Sequence, residues 1–335
     1  MSAPWFEDFI VGADFSDVPA VTITEGHVAA YQAIFADRSR LPLSQPLSEQ
    51  ITGRSSVVNA SLVSNIAIGQ STIPSQRVIG NLFYRGLAFA QPVYVGDTLT
   101  TQTTVVALRQ NKIREGRPAS GMAVLEIHVE NQHDETVMHF WRCPMIPCQN
   151  AKADTGHTDD FDIIGEDITD AMLQTLVPKW NYQAYADQIQ GRHAKDYAIG
   201  EPIKVEGRDT VTSAPELVRL TLNLAMTHTD AARSVYGKRL VYGGHTISIA
   251  AAQLSRAIPN LMSILAWYQC DHVAPVFEED ILRTELTINN VQSIDAAAVL
   301  DISIQVYADR GVAAPEQGED IKVLDWHLAG LMAWG

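Results

Sequence analysis

The chain has 335 residues, a length for which two domains are the first expectation. Hydrophobic residues make up 46% and charged residues 19%, as in ordinary soluble globular proteins. The formal net charge of −15 argues against nucleic acid or an anionic membrane as the main partner, since both would repel the chain and no strongly basic stretch offsets that charge.

The first residues carry no basic and apolar leader, and no later stretch of about 18 apolar residues exists. We therefore expect a cytoplasmic protein that does not enter a membrane. Three cysteines, Cys143, Cys148 and Cys270, are an odd number without metal-ligand spacing, so they predict reduced, buried thiols. The sequence also shows no dinucleotide-binding glycine run and no metal cluster, and we expect no cofactor.

Two short motifs recur in the same order along the chain. The Asp-x-x-x-Gly spacing at 8–12 returns at 196–200, an offset of 188 residues. The segment Pro-Val-x-x-x-Asp-x-Leu at 92–99 returns at 275–282, an offset of 183 residues. Two ordered matches predict an internal duplication with a repeat of about 150 residues.

The duplication divides the chain into two domains and a linker. We assign residues 1–148 to the first copy and residues 181–335 to the second copy. Residues 149–180 break the repeat, carry a cluster of aspartates and glutamates, and have few apolar anchors. This composition predicts a linker that runs over the surface between the copies.

In the first copy, the spacing of apolar residues predicts a helix over 24–35, and a long apolar run predicts a second helix over 55–69. Three segments with strand character follow, at 98–108, 123–131 and 137–146.

The second copy repeats the order of two helices followed by strands. Its helices are predicted at 214–225 and 246–258. The segment 308–319 contains Gly, Pro and several Glu residues, and it predicts a long loop before the last strand. The predicted strands of this copy are 281–291, 297–307 and 321–332.

The second helix of each copy is apolar on nearly all faces. Such a helix must be covered on all sides, which a strongly curved antiparallel sheet can do. We therefore predict an α+β fold of two units, each a long central helix wrapped by a curved sheet. The two sheets should join edge to edge, because this pairs strand groups that would otherwise be unsatisfied.

A histidine and a glycine pair beside the helix at 246–258 form the candidate site. Gly243 and Gly244 precede this helix, and backbone amides at a helix N-terminus can stabilise an oxygen that gains negative charge. This pattern indicates an oxyanion site with His228 nearby. The alternative is that the glycines form only a tight turn and that His228 is a surface residue.

These residues resemble the MaoC-like dehydratases, double hot-dog proteins that include the (R)-specific enoyl-CoA hydratases. The resemblance rests on the tandem Pro-Val-x-x-x-Asp-x-Leu motif, on the His-x-Asp at His228 and Asp230, and on the glycine pair. The stretches Leu-Arg-Gln-Asn-Lys at 108–112 and Arg-Leu-Val-Tyr-Gly-Gly-His at 239–245 are similar to the mesaconyl-CoA hydratases, also called methylmalyl-CoA dehydratases. The resemblance covers both copies and implies a tandem hot-dog fold.

The family's motif implies a catalytic second copy and a silent first copy. In the family, an Asp and a His five residues later activate one water. His228 stands at the His position and Asp230 at the second Asp, but Asn223 occupies the first Asp position. An Asn can orient water but cannot take a proton at neutral pH. In the first copy Asp37 keeps the Asp position, whereas Pro42 replaces the His.

The resemblance also implies roles for single residues. His228 is the expected general base, and the amide of Gly244 is the expected partner of the thioester oxygen. Residues expected to bind the substrate are Gly243, His245, Asp271, His272 and Arg239. Cations that could meet the phosphates of CoA are Arg239, Lys238, Arg77 and Arg85.

Three functions remain open on the sequence. The first is a hydro-lyase that reversibly hydrates an α,β-unsaturated acyl-CoA, such as a branched dicarboxylic one. The second is a thioesterase, which would need a carboxylate such as Asp230 or Asp37 near the thioester carbonyl. The third is a non-catalytic acyl-CoA-binding subunit, consistent with the missing Asp at position 223. Self-association into a homo-oligomer is also expected.

Overall fold

The computed structural model describes residues 3–310 and 320–335, so most of the loop predicted at 308–319 lies outside the described residues. No helix in the described ranges is both long enough and apolar enough to cross a membrane.

The elements of the first half match the predicted order of helices followed by an antiparallel sheet. In chain order they are β1 (Val21–Thr22), α1 (Glu25–Phe35), α2 (Arg40–Leu43), α3 (Gln45–Thr52), α4 (Ala60–Gln70), β2 (Gly80–Phe89), β3 (Thr98–Gln110), β4 (Ser120–Glu130) and β5 (Thr136–Pro147).

The rest of the chain continues in the same way. In chain order its elements are α5 (Asp170–Leu176), α6 (Tyr182–Gln188), β6 (Pro202–Ile203), β7 (Asp209–Thr210), α7 (Ala214–Leu220), α8 (Gly243–Ala257), β8 (Ser263–His272), β9 (Ile281–Ile294), β10 (Ala297–Asp309) and β11 (Ile321–Ala333).

The strands of the described residues form one antiparallel sheet that runs through both halves. Its order is β1-β3-β4-β5-β2-β8-β11-β10-β9-β6, with β7 paired to β9. β2 and β8 join the halves, with Tyr84 opposite Cys270 and Ala88 opposite Ala266. The predicted edge-to-edge join is therefore confirmed, and it pairs the edge strand of each half with the other.

The two long helices are the centres of this curved sheet. The residues of α4 from Ser61 to Gln70 are all buried, and so are the residues of α8 from Gly244 to Ser255. The helices touch each other through the side chains of Asn65 and Ser248, whose Nδ2 and Oγ atoms are 2.8 Å apart. These two residues are 183 positions apart, the offset of the second repeated motif. The α+β tandem hot-dog fold is confirmed.

The starts of both central helices differ from the prediction. α4 begins at Ala60 and not at Ser55, because the side chain of Asn59 accepts a hydrogen bond from the Ser61 amide and caps the helix there. α8 begins at Gly243, three residues before the predicted start at Thr246. The glycine pair therefore forms the first turn of the helix.

The aspartates of the repeated motifs close tight turns. Each of Asp8, Asp196, Asp97 and Asp280 accepts a hydrogen bond from the backbone amide three residues earlier, at 2.8–2.9 Å. Such side-chain bonds satisfy amides that the turn would leave unpaired. The repeats thus mark equivalent structural positions in the two halves.

The acidic segment 149–180 is anchored more firmly than its composition suggests. It contains α5, and its Phe161, Leu173 and Leu176 side chains are buried. Its Asp159 carboxylate accepts a hydrogen bond of 2.8 Å from the Leu108 amide of β3. The segment runs from the end of β5 to the second half, while its domain boundaries at 148 and 180 remain predictions.

Candidate active site

A cavity of about 200 Å³ opens between the two halves of the chain. The end of α4 and parts of β2 and β5 line it from the first half. The second half contributes residues between 223 and 228, the first turn of α8 and the end of β8. The lining residues that offer polar side chains or a free backbone amide are Tyr84, Arg142, Asn223, His228, Gly243 and His272.

His228 is held as a neutral ring at this cavity. It ends a short 3₁₀ turn, Met226–His228, and its Nδ1 lies 2.8 Å from the carbonyl oxygen of Leu240. A carbonyl only accepts, so the neutral ring carries its hydrogen on Nδ1 and keeps a lone pair on Nε2. Burial lowers the pKa of His228 to about 4, although the Leu240 bond favours the charged ring. At neutral pH the ring is therefore able to accept a proton.

The first half positions the loop that carries His228. The Leu224 amide donates to Thr72 Oγ1 at 2.9 Å, and the Met226 amide donates to the carbonyl of Gln76 at 2.8 Å. Thr72 and Gln76 follow α4 of the first half. Consequently, the first half, which does not contain His228, still fixes the geometry of the site.

Asn223 lies at the cavity in a tight backbone turn. The helix predicted at 214–225 ends earlier, as α7 at Leu220, because Leu222 takes a left-handed conformation with φ of 56°. The side-chain oxygen of Asn223 accepts a hydrogen bond of 2.9 Å from the Ala225 amide. An amide oxygen has two lone pairs, so one remains for a water or a substrate.

The first turn of α8 faces the cavity at Gly243. Its N-cap residue, Tyr242, provides no side-chain hydrogen bond to the free amides of this turn. A Cβ on Gly243 would lie 2.6 Å from His272 Nε2, and a Cβ on Gly244 would lie 1.8 Å from Asn65 Oδ1. Both glycines are thus required by close packing, and Gly243, rather than Gly244, lines the cavity.

His272 stands beside His228 at the end of β8. Burial and, to a smaller extent, the neighbouring His228 lower the pKa of His272 to about 4. Its Nε2 has no hydrogen-bond partner among the described residues. The site therefore contains two neutral histidines, of which only one can readily become charged.

Three of the residues predicted to bind substrate lie away from the cavity. His245 is buried against the ring of Phe35, at 4.8 Å between centroids. It is two residues beyond Gly243 and so points to another side of α8. The other two are held in ion pairs, Asp271 with Arg85 at 2.6 Å and Arg239 with Glu278. Asp271 precedes His272 on β8, so its side chain points to the opposite face of the sheet.

The cations predicted to meet CoA phosphates are similarly engaged with the protein. Arg85 is in the pair just described, and Lys238 Nζ lies 3.8 Å from the centre of the Phe277 ring. The Arg77 guanidinium lies 4.0 Å from the centre of the Trp5 ring. None of these three lines the cavity.

Two features of the site were not predicted from the sequence. One is Arg142, a single arginine within a strand, which no local pattern distinguishes from an exposed residue. The other is a basic groove formed by Arg109, Lys112, Arg114 and Arg117 at the turn between β3 and β4. The stretch 108–112, on which the family resemblance partly rests, contributes to this groove. The four positive charges within nine residues are the sequence feature that could have predicted it.

The fold and the cavity together define a double hot-dog protein with a histidine site between its halves. No family model matches the chain. It is 32% identical over 286 residues to beta-methylmalyl-CoA dehydratase of Chloroflexus aurantiacus, which covers 83% of this chain and 80% of that protein. It is 27% identical over 339 residues to mesaconyl-CoA hydratase of Cereibacter sphaeroides, covering 98% of this chain and 96% of the relative.

A solved structure shows the same architecture along the whole chain. A conserved protein of Mycobacterium tuberculosis, described as having a double hot-dog fold and as essential for survival during infection, superposes with a TM-score of 0.89. The two chains are 39% identical, and 98% of each is covered. This chain belongs to the MaoC-like dehydratases of the double hot-dog type, and it is a hydro-lyase.

Proposed function

We propose that this chain reversibly hydrates an α,β-unsaturated acyl-CoA thioester, and that the acyl group is a branched dicarboxylic one such as mesaconyl. The observation that carries the proposal is the neutral His228, which faces the same cavity as the uncapped first turn of α8. A proton acceptor and an anion-stabilising group are the two elements that water addition to an enoyl thioester needs. The names of the two relatives support the acyl group.

In the proposed reaction, His228 Nε2 accepts a proton from water as the water oxygen bonds to the β-carbon of the enoyl group. The electrons of the C=C bond move to the thioester oxygen, where the amides at the start of α8 stabilise the enolate. The imidazolium, stabilised by the Leu240 carbonyl, then returns the proton to the α-carbon. One water is added and the ring is neutral again. Asn223 holds the water through its remaining lone pair.

The surroundings of the cavity disfavour the thioesterase alternative. Among the described residues that line it, none is an Asp or a Glu. Asp230 is exposed and caps a short turn by accepting from the Ala232 amide. Asp37 accepts from the Ser39 amide and lines two other cavities, one of which is also lined by Ser255 and Leu261 of the second half. Neither carboxylate is placed to attack a thioester in the cavity beside His228.

One assay separates the three candidate functions. Purified protein is incubated with crotonyl-CoA, mesaconyl-CoA and a saturated acyl-CoA, and the products are resolved by mass. We expect a gain of one water on the unsaturated substrates, with mesaconyl-CoA the faster, and no reaction of the saturated one. Release of free CoA thiol from the saturated substrate would indicate a thioesterase instead, and binding without reaction would indicate a non-catalytic subunit.

The basic groove is the proposed site for the phosphates of CoA. Arg109, Lys112, Arg114 and Arg117 line it without a carboxylate among the described residues, and Met145 lines both the groove and the cavity. Four cations in one groove attract the phosphate groups, while the thioester reaches the cavity.

Removing charge from the groove tests this placement. The triple variant Lys112→Gln, Arg114→Gln, Arg117→Gln should raise KM for the acyl-CoA by about 10-fold, equal to about 1.4 kcal/mol of binding, with little change in kcat. KM for the matching acyl-pantetheine, which lacks the nucleotide phosphates, should not change. The double variant Lys238→Gln, Arg239→Gln is the matched control. A larger KM effect in that control would indicate that the phosphates bind near Lys238 and Arg239 instead.

The proposal includes a cytoplasmic location. Cys143, Cys148 and Cys270 are buried free thiols, which fits a reducing compartment. Self-association into a homo-oligomer remains part of the proposal, with size-exclusion chromatography as its direct measurement.

A further inference from the structure

Arg142 is a buried cation without an anion. It lies within β5, is 3% exposed, and lines the cavity from the first half. Its Nη2 donates to the carbonyl of Ser71 at 2.6 Å and to Ser75 Oγ at 2.8 Å. Its Nε has no acceptor, and no carboxylate pairs with the guanidinium among the described residues.

The groups around Arg142 cannot neutralise it. Its electrostatic neighbours are Tyr84, Tyr242 and Cys143. Burial raises the pKa of each of these three groups above its ordinary value, so all three are uncharged at neutral pH. Burial also lowers the pKa of Arg142, but a guanidinium remains charged in proteins. A buried charge that lacks a partner is costly, and here the partner is missing from the protein itself.

We propose that Arg142 binds a carboxylate carried by the acyl group, and so selects thioesters of dicarboxylic acids. This inference rests on the proposed hydration of acyl-CoA, and it assigns the specificity to one residue of the half that lacks the catalytic histidine. Carboxylates form strong, charge-assisted hydrogen bonds with arginine. Nη2 is already used by the protein and Nε is buried without a partner, which leaves Nη1 as the donor for a carboxylate in the cavity.

The phosphates of CoA are a poorer match for this position. The cavity is only about 200 Å³, and Arg142 is buried in its wall. The nucleotide end of CoA is bulky, and the exposed basic groove offers four cations for it. The anion that reaches Arg142 must therefore be small and lie close to the reacting carbons, which describes a second carboxylate on a short acyl chain.

Fumaryl-CoA and crotonyl-CoA test the proposal, because they differ only in a carboxylate or a methyl group on the same carbon. The parent protein should have a kcat/KM for fumaryl-CoA at least about 100-fold above that for crotonyl-CoA. Arg142→Gln should remove most of this preference through the loss on fumaryl-CoA, and it should keep kcat/KM for crotonyl-CoA within about 10-fold of the parent. Arg142→Lys should keep part of the preference, because it retains the charge.

Ser75→Ala is the matched control, since it removes one hydrogen bond of Arg142 but keeps the guanidinium. A purely structural arginine would lower both rates equally in Arg142→Gln, which would overturn the proposal. The parent's own preference decides the matter if the variants do not fold. A parent that hydrates both substrates equally retains the proposed hydration of an enoyl thioester but refutes the selection of a dicarboxylic acyl group by Arg142. A parent that hydrates none of the enoyl thioesters refutes both.

Discussion

Replacing His228 with alanine should lower kcat by at least about 100-fold while leaving the fold intact. The expectation follows from typical contributions of a general base, since the ring at the cavity is the group that can take the proton from water. His228→Asn sharpens the test, because the asparagine amide can still donate to the Leu240 carbonyl as Nδ1 does. Both variants should be compared with the parent by hydration rate and by thermal unfolding.

Two control variants show whether the loss is specific to the second half. Asp37→Asn alters the first-half residue that corresponds to Asn223 in the family motif, but keeps an oxygen to accept from the Ser39 amide. His245→Asn alters a buried histidine of α8, in the same half as His228, that lies outside the cavity. Both should retain activity within about 10-fold, in line with residues that do not transfer protons. Equal losses at His228 and Asp37 would contradict the assignment of a silent first half.

The pH profile provides an independent check on the same residue. Because burial lowers the pKa of His228 to about 4, kcat/KM should stay level from neutral pH down to about pH 5 and fall with a single ionisation near pH 4. A histidine with an ordinary pKa would lose activity near pH 6.5 instead. An inflection there, absent from His228→Asn, would show that the ring is solvated in the working enzyme.

The lowered pKa values also make the stability of the fold depend on pH. His228, His245 and His272 each have a pKa lowered by burial to about 4 in the folded state. The unfolded chain takes up these protons near pH 6.5, so stability is full above that pH and is lost as the pH falls towards 4. Acid-limb rates should therefore be measured after brief exposure, with recovery of activity at neutral pH as the control.

Asn223→Ala should lower the rate by roughly 10²-fold, through loss of the group that holds the attacking water. Asn223→Asp should keep substantial activity. Its carboxylate can still accept from the Ala225 amide and from water, and it restores the Asp of the family motif. The aspartate variant should also show a second ionisation in the pH profile of kcat/KM, since a second titrating group then contacts the water.

Asn223→Ser separates water positioning from the shape of the turn. A serine hydroxyl can accept from the Ala225 amide, and so preserve the turn after Leu222, but its oxygen is one bond closer to the backbone and falls short of the water. We expect it to be nearly as impaired as Asn223→Ala. If Asn223→Ser is as active as the parent, the contribution of Asn223 is to the turn alone.

The sequence by itself determined the fold and the local part of the site. Two helices apolar on all faces required a sheet around each, and two ordered motifs showed that the units were copies. His228 and Gly243 were identified because each lies in a short segment whose residue types suggest its chemistry, and Asn223 was identified from the resemblance to the family motif. All three line one cavity in the structure.

Only the tertiary structure decided which side chains share that cavity. His245, Asp271 and Arg239 are close in sequence to lining residues, yet helix rotation, strand alternation and ion pairs direct them elsewhere. Arg142 gave no local signal, because its burial depends on strands and helices from both halves meeting around it. Burial and charge pairing are set by contacts between residues far apart in the chain, so neither could be read from a segment before the halves were brought together.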